Sequence, residues 1–166
     1  MTLRARVARV IAVSVLALLW AAGAAAQAPN VTQVPTGPAT IAHGRAGIVT
    51  LKFHVNTGFH INSHTPLSDL LLPTVLKLKA PADIGINSIE YPDGELVSFP
   101  FSPDEKLSLY TGDFLVKAKV RAMSPGLTGT YRVKGELKYQ ACNNRQCFPP
   151  KTAPVYFDVH FGGGKK

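Results

Sequence analysis

The chain has 166 residues, 46% of them hydrophobic, and a formal net charge of +8. This length suits one domain with a single hydrophobic core. Lysine and arginine are scattered over the predicted strands and are not grouped with aromatic residues, which argues against a nucleic-acid-binding protein. The scattered charge indicates a solvated sheet face or a surface for an acidic partner. A hydrolase is also unsupported, because the chain has no Gly-x-Ser-x-Gly motif.

The first 26 residues have the order of a secretory signal peptide. Three arginines precede an apolar run at residues 10–20, and Ala24, Ala25 and Ala26 come before Gln27. This order predicts cleavage after Ala26 and export to the periplasm or the cell exterior. An uncleaved membrane anchor is the alternative, although the apolar stretch is slightly short for a bilayer span. Loss of the three arginines lowers the formal charge of the mature chain from +8 to +5.

Short strands separated by Pro, Gly and Asn are predicted along the rest of the chain. Residues 27–42 indicate a leader or a first edge strand. After them, apolar residues alternate with polar ones, and this period of two residues is typical of a half-buried strand. The strands indicated after this leader are residues 46–56, 59–62, 74–79, 84–91, 113–121, 131–139 and 155–161. Residues 99–105 contain two prolines, two aromatic residues and two acids. Prolines interrupt a strand ladder, so a loop is predicted there.

The number of strands decides the predicted fold class. At least seven strands and no helix after the signal peptide predict an all-β fold, an antiparallel β-sandwich, in one domain over residues 27–161. The last five residues, 162–166, are rich in glycine and lysine and are expected to form a disordered tail. His60 and Asn62 share one face of the strand at residues 59–62. That face either borders a site or meets solvent.

Cys142 and Cys147 are the only cysteines, and they are expected to face each other across the end of a β-hairpin. The strands at residues 131–139 and 155–161 lead into and out of this stretch. Residues 143–146 between the cysteines include two asparagines, which tolerate turn conformations. So short a loop allows the Cα atoms to reach the separation of about 5.5–6 Å that is typical of a disulfide.

Three interpretations of the cysteine pair remain open from the residues alone. A disulfide that closes so short a loop stabilises the fold by only about 2 kcal/mol, which favours a reactive role. Arg145, Lys138 and Lys151 would favour the thiolate form that exchange requires. A structural disulfide is equally ordinary in an exported protein. A zinc site that combines the cysteines with His60 and His64 lacks a second pair at ligand spacing.

Five segments of the chain together resemble the N-terminal periplasmic domain of the thiol:disulfide interchange protein DsbD family. They are residues 58–66, 72–74, 110–112, 139–142 and 147–150, and the two that contain the cysteines are the most specific. The resemblance covers residues 30–161 and implies an immunoglobulin-like β-sandwich that performs thiol–disulfide exchange without a cofactor. It also implies that Cys142 and Cys147 are the redox pair, that Cys147 forms the mixed disulfide with a partner, and that Cys142 resolves it.

The resemblance further implies side chains that flank the redox pair. The candidates are His60, Asn62, Phe99, Phe101 and Tyr139. His60 and Asn62 stand where the best-known member of the family has two tyrosines, and residues 99–105 are the nearest equivalent of the family's acidic and aromatic cap loop. The loop between the cysteines has four residues where that member has five, which changes the local geometry.

Separate proteins are the expected partners, because the sequence ends after the sandwich. The resemblance implies that a membrane-embedded protein donates electrons and that periplasmic thioredoxin-like proteins receive them. The chain would then be a component of a protein-disulfide reductase system, with no metal, nucleic acid or small-molecule ligand. The alternative is a non-catalytic immunoglobulin-like binding module in which the disulfide is structural. The two differ in the expected reduction potential of the cysteine pair.

Overall fold

The computed structural model describes residues 29–99 and 102–162, which form twelve β-strands and no helix. The strands are β1 (Val31–Val34), β2 (Ala39–Ala42), β3 (Ala46–Val55), β4 (His60–Asn62), β5 (Val75–Lys79), β6 (Ile84–Glu90), β7 (Glu95–Phe99), β8 (Ser102–Tyr110), β9 (Asp113–Ala122), β10 (Gly129–Tyr139), β11 (Ala141–Cys142) and β12 (Lys151–Gly162). This part of the chain therefore contains no helix long and apolar enough to cross a membrane. The predicted signal peptide, Phe101 and the tail beyond Gly162 lie outside the described residues.

Two four-stranded sheets build an immunoglobulin-like β-sandwich, so the predicted all-β fold is confirmed. One sheet has the strand order β1-β3-β9-β6, and the other has the order β2-β12-β10-β5. A third sheet, with the order β11-β4-β8-β7, contains the cysteine-bearing strand. The pairing is antiparallel except between β2 and β12, which are parallel. The sequence predicted an antiparallel sandwich, and every pair of strands has this arrangement except the pair of β2 and β12.

The apolar core lies between the two large sheets and comes mainly from four strands whose alternation was visible in the sequence. Its buried residues on these strands are Val49, Leu51, Phe53, Val55, Phe114, Val116, Ala118, Val120, Val133, Leu137, Tyr139, Ala153, Val155, Phe157, Val159 and Phe161. Each fully buried large side chain stabilises the fold by about 1.5–3 kcal/mol. Stacked rings join this core to β8, because the Phe114 ring lies 5.3 Å from Phe53 and 4.6 Å from Tyr110.

A loop was predicted for residues 99–105, and this prediction is wrong for residues 102–105, which belong to a strand. β7 ends at Phe99, and β8 begins at Ser102 and contains Pro103. The proline is tolerated because the register between the two strands shifts at Ser98 and Phe99, and prolines are accepted at such irregular positions. The sequence also did not predict β7, whose side chains show little burial.

β10 and β12 form the long hairpin that positions the cysteines. They pair from Gly129 opposite Phe161 to Tyr139 opposite Lys151. The chain then leaves this pairing at Gln140 and enters β11, so the cysteines lie beyond the end of the large sheet. Gly162, which the sequence placed in the tail, is the last residue of β12.

Candidate functional site

The cysteines lie at a tight turn whose geometry follows from one asparagine. Cys142 and Cys147 are joined by a disulfide, with their Cα atoms 3.9 Å apart, and they form an isolated antiparallel bridge. The Asn143 N–H donates to the Gln146 carbonyl at 2.9 Å. The Asn143 Oδ1 accepts from the N–H groups of Arg145 and Gln146, both at 2.9 Å. A side-chain oxygen that accepts these bonds stabilises a turn, so the predicted doubling back of the chain is confirmed.

Contacts outside the turn hold its two arms together. The Phe148 N–H donates to the Ala141 carbonyl at 2.8 Å, and the Gln140 Nε2 donates to the Phe148 carbonyl at 3.1 Å. The Phe148 ring also lies 5.8 Å from the ring of Phe59, which precedes β4. These bonds do not involve sulfur. The hairpin end therefore has a hydrogen-bonded framework of its own in addition to the disulfide.

The two cysteine residues differ in their access to solvent. Cys142 is only 4% exposed, whereas Cys147 is exposed. Thiol–disulfide exchange requires an incoming thiolate to reach one sulfur while the other leaves. Of the two cysteines, Cys147 is therefore the residue that a molecule outside the fold can reach.

His60 lies beside the buried cysteine. It stands directly opposite Cys142 in the antiparallel pair of β4 and β11, and such opposite residues have Cβ atoms about 4.5–5.5 Å apart on the same face of the sheet. The His60 side chain is buried, and its ring lies 5.0 Å from that of Phe99. Burial lowers the pKa of His60, because removal from water disfavours the imidazolium form. Burial therefore favours the neutral form of the imidazole opposite Cys142.

Asn62 fixes the segment that follows β4. It is 2% exposed, and its Nδ2 donates to the Leu72 carbonyl at 2.9 Å. The backbone carbonyl of Asn62 accepts a hydrogen bond from the Thr74 Oγ1 at 2.6 Å. The face that the sequence left open between a site and solvent is thus buried at both His60 and Asn62.

A groove of about 420 Å³ brings the candidate residues together. Its lining consists of His60, Asn62, Leu71, Phe99, Leu107, Cys142, Asn143, Asn144, Arg145, Gln146 and Cys147. Three of the five predicted flanking residues therefore share the groove with the disulfide. The sequence did not predict Leu71 and Leu107. The only signal for Leu71 was the run of three leucines at residues 70–72, and Leu107 lies on β8, a strand that the sequence did not predict.

Tyr139, another predicted flanking residue, does not line this groove. Its side chain is buried, and its hydroxyl makes no hydrogen bond of good geometry although it lies near the backbone of Asn30 and Val31. Burial raises the pKa of Tyr139. Lys138 and Lys151 border a separate cavity together with Tyr139. Of the three cations expected near the cysteines, only Arg145 lines the groove.

His64, considered as a zinc ligand, has other contacts. Its Nδ1 is 2.9 Å from the Thr74 carbonyl, to which it donates, and its ring stacks on Tyr91 with 3.7 Å between centroids. The described part of the chain contains no group of three or more His, Cys, Asp or Glu side chains arranged to hold a metal ion. The cysteines are both engaged in the disulfide.

Comparison with protein families gives a match over most of the chain. The family described as "Thiol:disulfide interchange protein DsbD, N-terminal" matches residues 30–158. This range includes both cysteines and every strand except the end of β12. A comparison with curated protein sequences finds no match.

Comparison with solved structures gives several matches. The DsbD N-terminal domain of Neisseria meningitidis in the reduced form is 21% identical, with 69% of this chain and 77% of that chain covered and a TM-score of 0.40. The N-terminal periplasmic domain of ScsB from Proteus mirabilis is 11% identical, with 70% and 43% covered and a TM-score of 0.44. AggA, the major subunit of type I aggregative adherence fimbriae of Escherichia coli, is 10% identical, with 80% and 94% covered and a TM-score of 0.36.

Proposed function

The chain belongs to the family of N-terminal domains of the thiol:disulfide interchange protein DsbD, and we propose that it passes electrons through the Cys142–Cys147 pair by direct exchange with partner oxidoreductases. The observation that carries this proposal is the asymmetry of the pair. An exposed Cys147 stands at a groove in which Cys142 is buried. A purely structural disulfide does not require that one of its cysteines be accessible to other proteins.

Exchange at this site proceeds in two steps. A thiolate of a reduced partner attacks the Cys147 Sγ, the bond between the two sulfurs breaks, and the Cys142 Sγ leaves as a thiolate. The second cysteine thiolate of the partner then attacks the partner's sulfur in the mixed disulfide. A disulfide forms within the partner, and the Cys147 Sγ leaves as a thiolate. The domain gains two electrons and the partner becomes oxidised. In the reverse direction the Cys147 thiolate attacks a partner's disulfide, and Cys142 resolves the mixed disulfide.

The groups around Cys142 determine how readily its sulfur leaves the disulfide as a thiolate. Burial among apolar groups raises the pKa of a thiol, whereas a nearby cation or hydrogen-bond donor lowers it. His60, opposite Cys142 on β4, and Arg145, in the turn, are the groups of the groove that can act in this way. We assign them the role of positioning and stabilising the departing thiolate, with Asn62 and Phe99 enclosing the site.

The family and the N-terminal sequence support a proposal for the partners and the location. An exported domain, cleaved near Ala26, would work in the periplasm. Its electrons would come from a membrane-embedded donor and pass to thioredoxin-like proteins as separate chains. The direct transfer of electrons between sulfurs requires no cofactor.

The alternative function, a binding module with a structural disulfide, has less support. The turn is already closed by the three hydrogen bonds of Asn143, and Phe148 and Gln140 join its arms. A disulfide added to such a framework is not needed to close the hairpin. This redundancy favours a bond that opens and closes during function.

Single-cysteine variants test the proposed roles. The Cys142→Ser variant keeps the exposed sulfur, and Cys147→Ser is its matched control because it keeps the buried one. Each is mixed with a thioredoxin variant that lacks the resolving cysteine and whose remaining cysteine is activated as a disulfide with thionitrobenzoate. Thionitrobenzoate then leaves, no second partner thiol can reverse the complex, and mixed disulfides are separated by non-reducing electrophoresis. We expect a covalent complex with Cys142→Ser and almost none with Cys147→Ser. Complex formation by neither variant, or by Cys147→Ser alone, would contradict the proposal.

A further inference from the structure

Three leucines stand exposed in the segment that connects β4 to β5. This segment, residues 64–73, is named the leucine loop below. Leu67 is 60% exposed, Leu70 is 93% exposed and Leu72 is 46% exposed. A single exposed apolar side chain is common on a protein surface, but a contiguous group marks a site of interaction.

The leucine loop is anchored at both ends. The Thr74 N–H donates to the Ser63 carbonyl at 3.1 Å, and the Asn62 Nδ2 donates to the Leu72 carbonyl at 2.9 Å. His64, at the start of the loop, donates to the Thr74 carbonyl and stacks on Tyr91. A further bond, from the Leu71 N–H to the Ser68 carbonyl, closes a turn within the loop. The leucines are therefore presented in a defined arrangement, which lowers the entropy cost of covering them.

The leucine loop is continuous with the groove of the disulfide. Leu71 lines the groove that contains Cys147. Leu71 also lines a neighbouring groove of about 430 Å³ together with Leu67, Leu70 and Leu107. Leu71 and Leu107 are common to both, so the two grooves adjoin, and a leucine-rich surface extends from Cys147 to the tip of the loop.

We propose that the leucine loop is the docking surface for a partner oxidoreductase whose reactive cysteine is surrounded by apolar residues. The inference rests on the proposed function, because exchange brings the partner's sulfur into bonding contact with Cys147. A partner of ordinary interface size then covers the adjoining surface. An apolar rim on that partner is the chemistry that gains from covering leucines.

Two other occupants fit the surface less well. Asp69 lies within the leucine loop, and Glu105 and Lys106 line its groove, so this surface lacks the cluster of cations that anionic lipid headgroups bind. A second copy of the chain seated on the loop would also cover the groove and prevent access to Cys147. The described surface therefore favours a heterologous redox partner over a membrane or a homodimer.

The test compares protein and small-molecule reductants on matched surface variants. Leu70→Ser removes the most exposed leucine of the loop. Leu115→Ser is the control, because Leu115 is 47% exposed on β9, which lies in a different sheet from the cysteine-bearing strand β11. The rate of reduction of the Cys142–Cys147 disulfide is measured with reduced thioredoxin and, separately, with dithiothreitol. Leu67→Ser serves as a second variant, and circular dichroism verifies that each variant is folded.

We expect Leu70→Ser to lower the rate constant with thioredoxin about tenfold, the effect of a central apolar contact, and to leave the rate with dithiothreitol unchanged. Leu115→Ser should match the unsubstituted protein with both reductants. The docking proposal is overturned if both leucine-loop variants react with thioredoxin at the unsubstituted rate, or if the rate with dithiothreitol falls equally.

Further outcomes separate this inference from the function on which it rests. If the unsubstituted protein is reduced by neither reagent, the proposed function itself fails. If it is reduced by dithiothreitol but not by thioredoxin, the function survives and the inferred partner class is wrong. Binding to anionic vesicles, or a dimer in sedimentation velocity, that disappears in Leu70→Ser would replace the redox partner by a membrane or a second copy.

Discussion

Reduction of the Cys142–Cys147 disulfide is expected to leave the domain folded and only slightly less stable. The cysteines are five positions apart, and a cross-link over so short a loop contributes about 2 kcal/mol to the free energy of unfolding. The hydrogen bonds of Asn143 do not involve sulfur. The eleven residues of β10 also stay paired with β12 when the bond opens.

The free energy by which the disulfide stabilises the fold also determines the reduction potential of the pair. In a thermodynamic cycle, the amount by which the disulfide stabilises the fold equals the amount by which the fold stabilises the disulfide. For a two-electron couple, about 1.4 kcal/mol corresponds to 30 mV, so about 2 kcal/mol lowers the reduction potential by roughly 40–45 mV relative to the unfolded chain. A structural staple of about 5 kcal/mol would lower it by more than 100 mV.

Urea unfolding of the oxidised and reduced forms, followed by circular dichroism, measures this difference. The double variant Cys142→Ser/Cys147→Ser is the control for incomplete reduction. We expect both thiol-free and reduced proteins to unfold cooperatively, with a midpoint below that of the oxidised form and a similar dependence on urea. A reduced form that is unfolded without denaturant, or that loses more than about 4 kcal/mol, would refute the account of the pair as a weak cross-link.

Three further predictions concern the surroundings of the pair and the core. Burial lowers the pKa of His60, so His60 binds a proton more readily in the unfolded chain, and the free energy of unfolding should fall as the pH drops below about 6.5. Urea unfolding at several pH values should show a smaller fall in the His60→Gln variant. A fall of the same size in that variant would contradict this prediction. Asn143→Ala should cost about 1–2 kcal/mol in urea unfolding, whereas a similar loss in Asn144→Ala, the exposed neighbour, would contradict the role of the Asn143 side chain. Leu137→Ala, at a fully buried position, should cost about 2–5 kcal/mol in the same assay, and a loss no larger than that of Leu115→Ala would be inconsistent with the described core.

The large sheets were accessible to sequence reasoning because their strands have one buried and one exposed face. The four central strands β3, β9, β10 and β12 alternate over nearly their whole length, and their inward residues are buried. The edge segment at residues 27–42 was harder, because it divides into β1 and β2, which join different sheets. Alternation gives the face of each strand but does not identify its partner.

The third sheet was less accessible for physical reasons. All three residues of β4 are buried, because the strand lies between β11 and β8, so alternation could not tell whether His60 meets a site or solvent. β7 shows weak burial, and Pro103 in β8 suggested a loop. The turn at Asn143 was predictable from its local chemistry. The leucines of the groove were not, because they reach the cysteines through tertiary packing.

The reduction potential of the Cys142–Cys147 pair tests the central claim most directly. The protein is equilibrated with glutathione buffers of defined ratio, and free thiols are trapped with an alkylating mass tag that reports the reduced fraction. We expect a potential between about −180 and −270 mV, the span of proteins that exchange disulfides. A pair that stays oxidised below about −300 mV would identify a structural disulfide and would contradict the proposed role as an electron carrier.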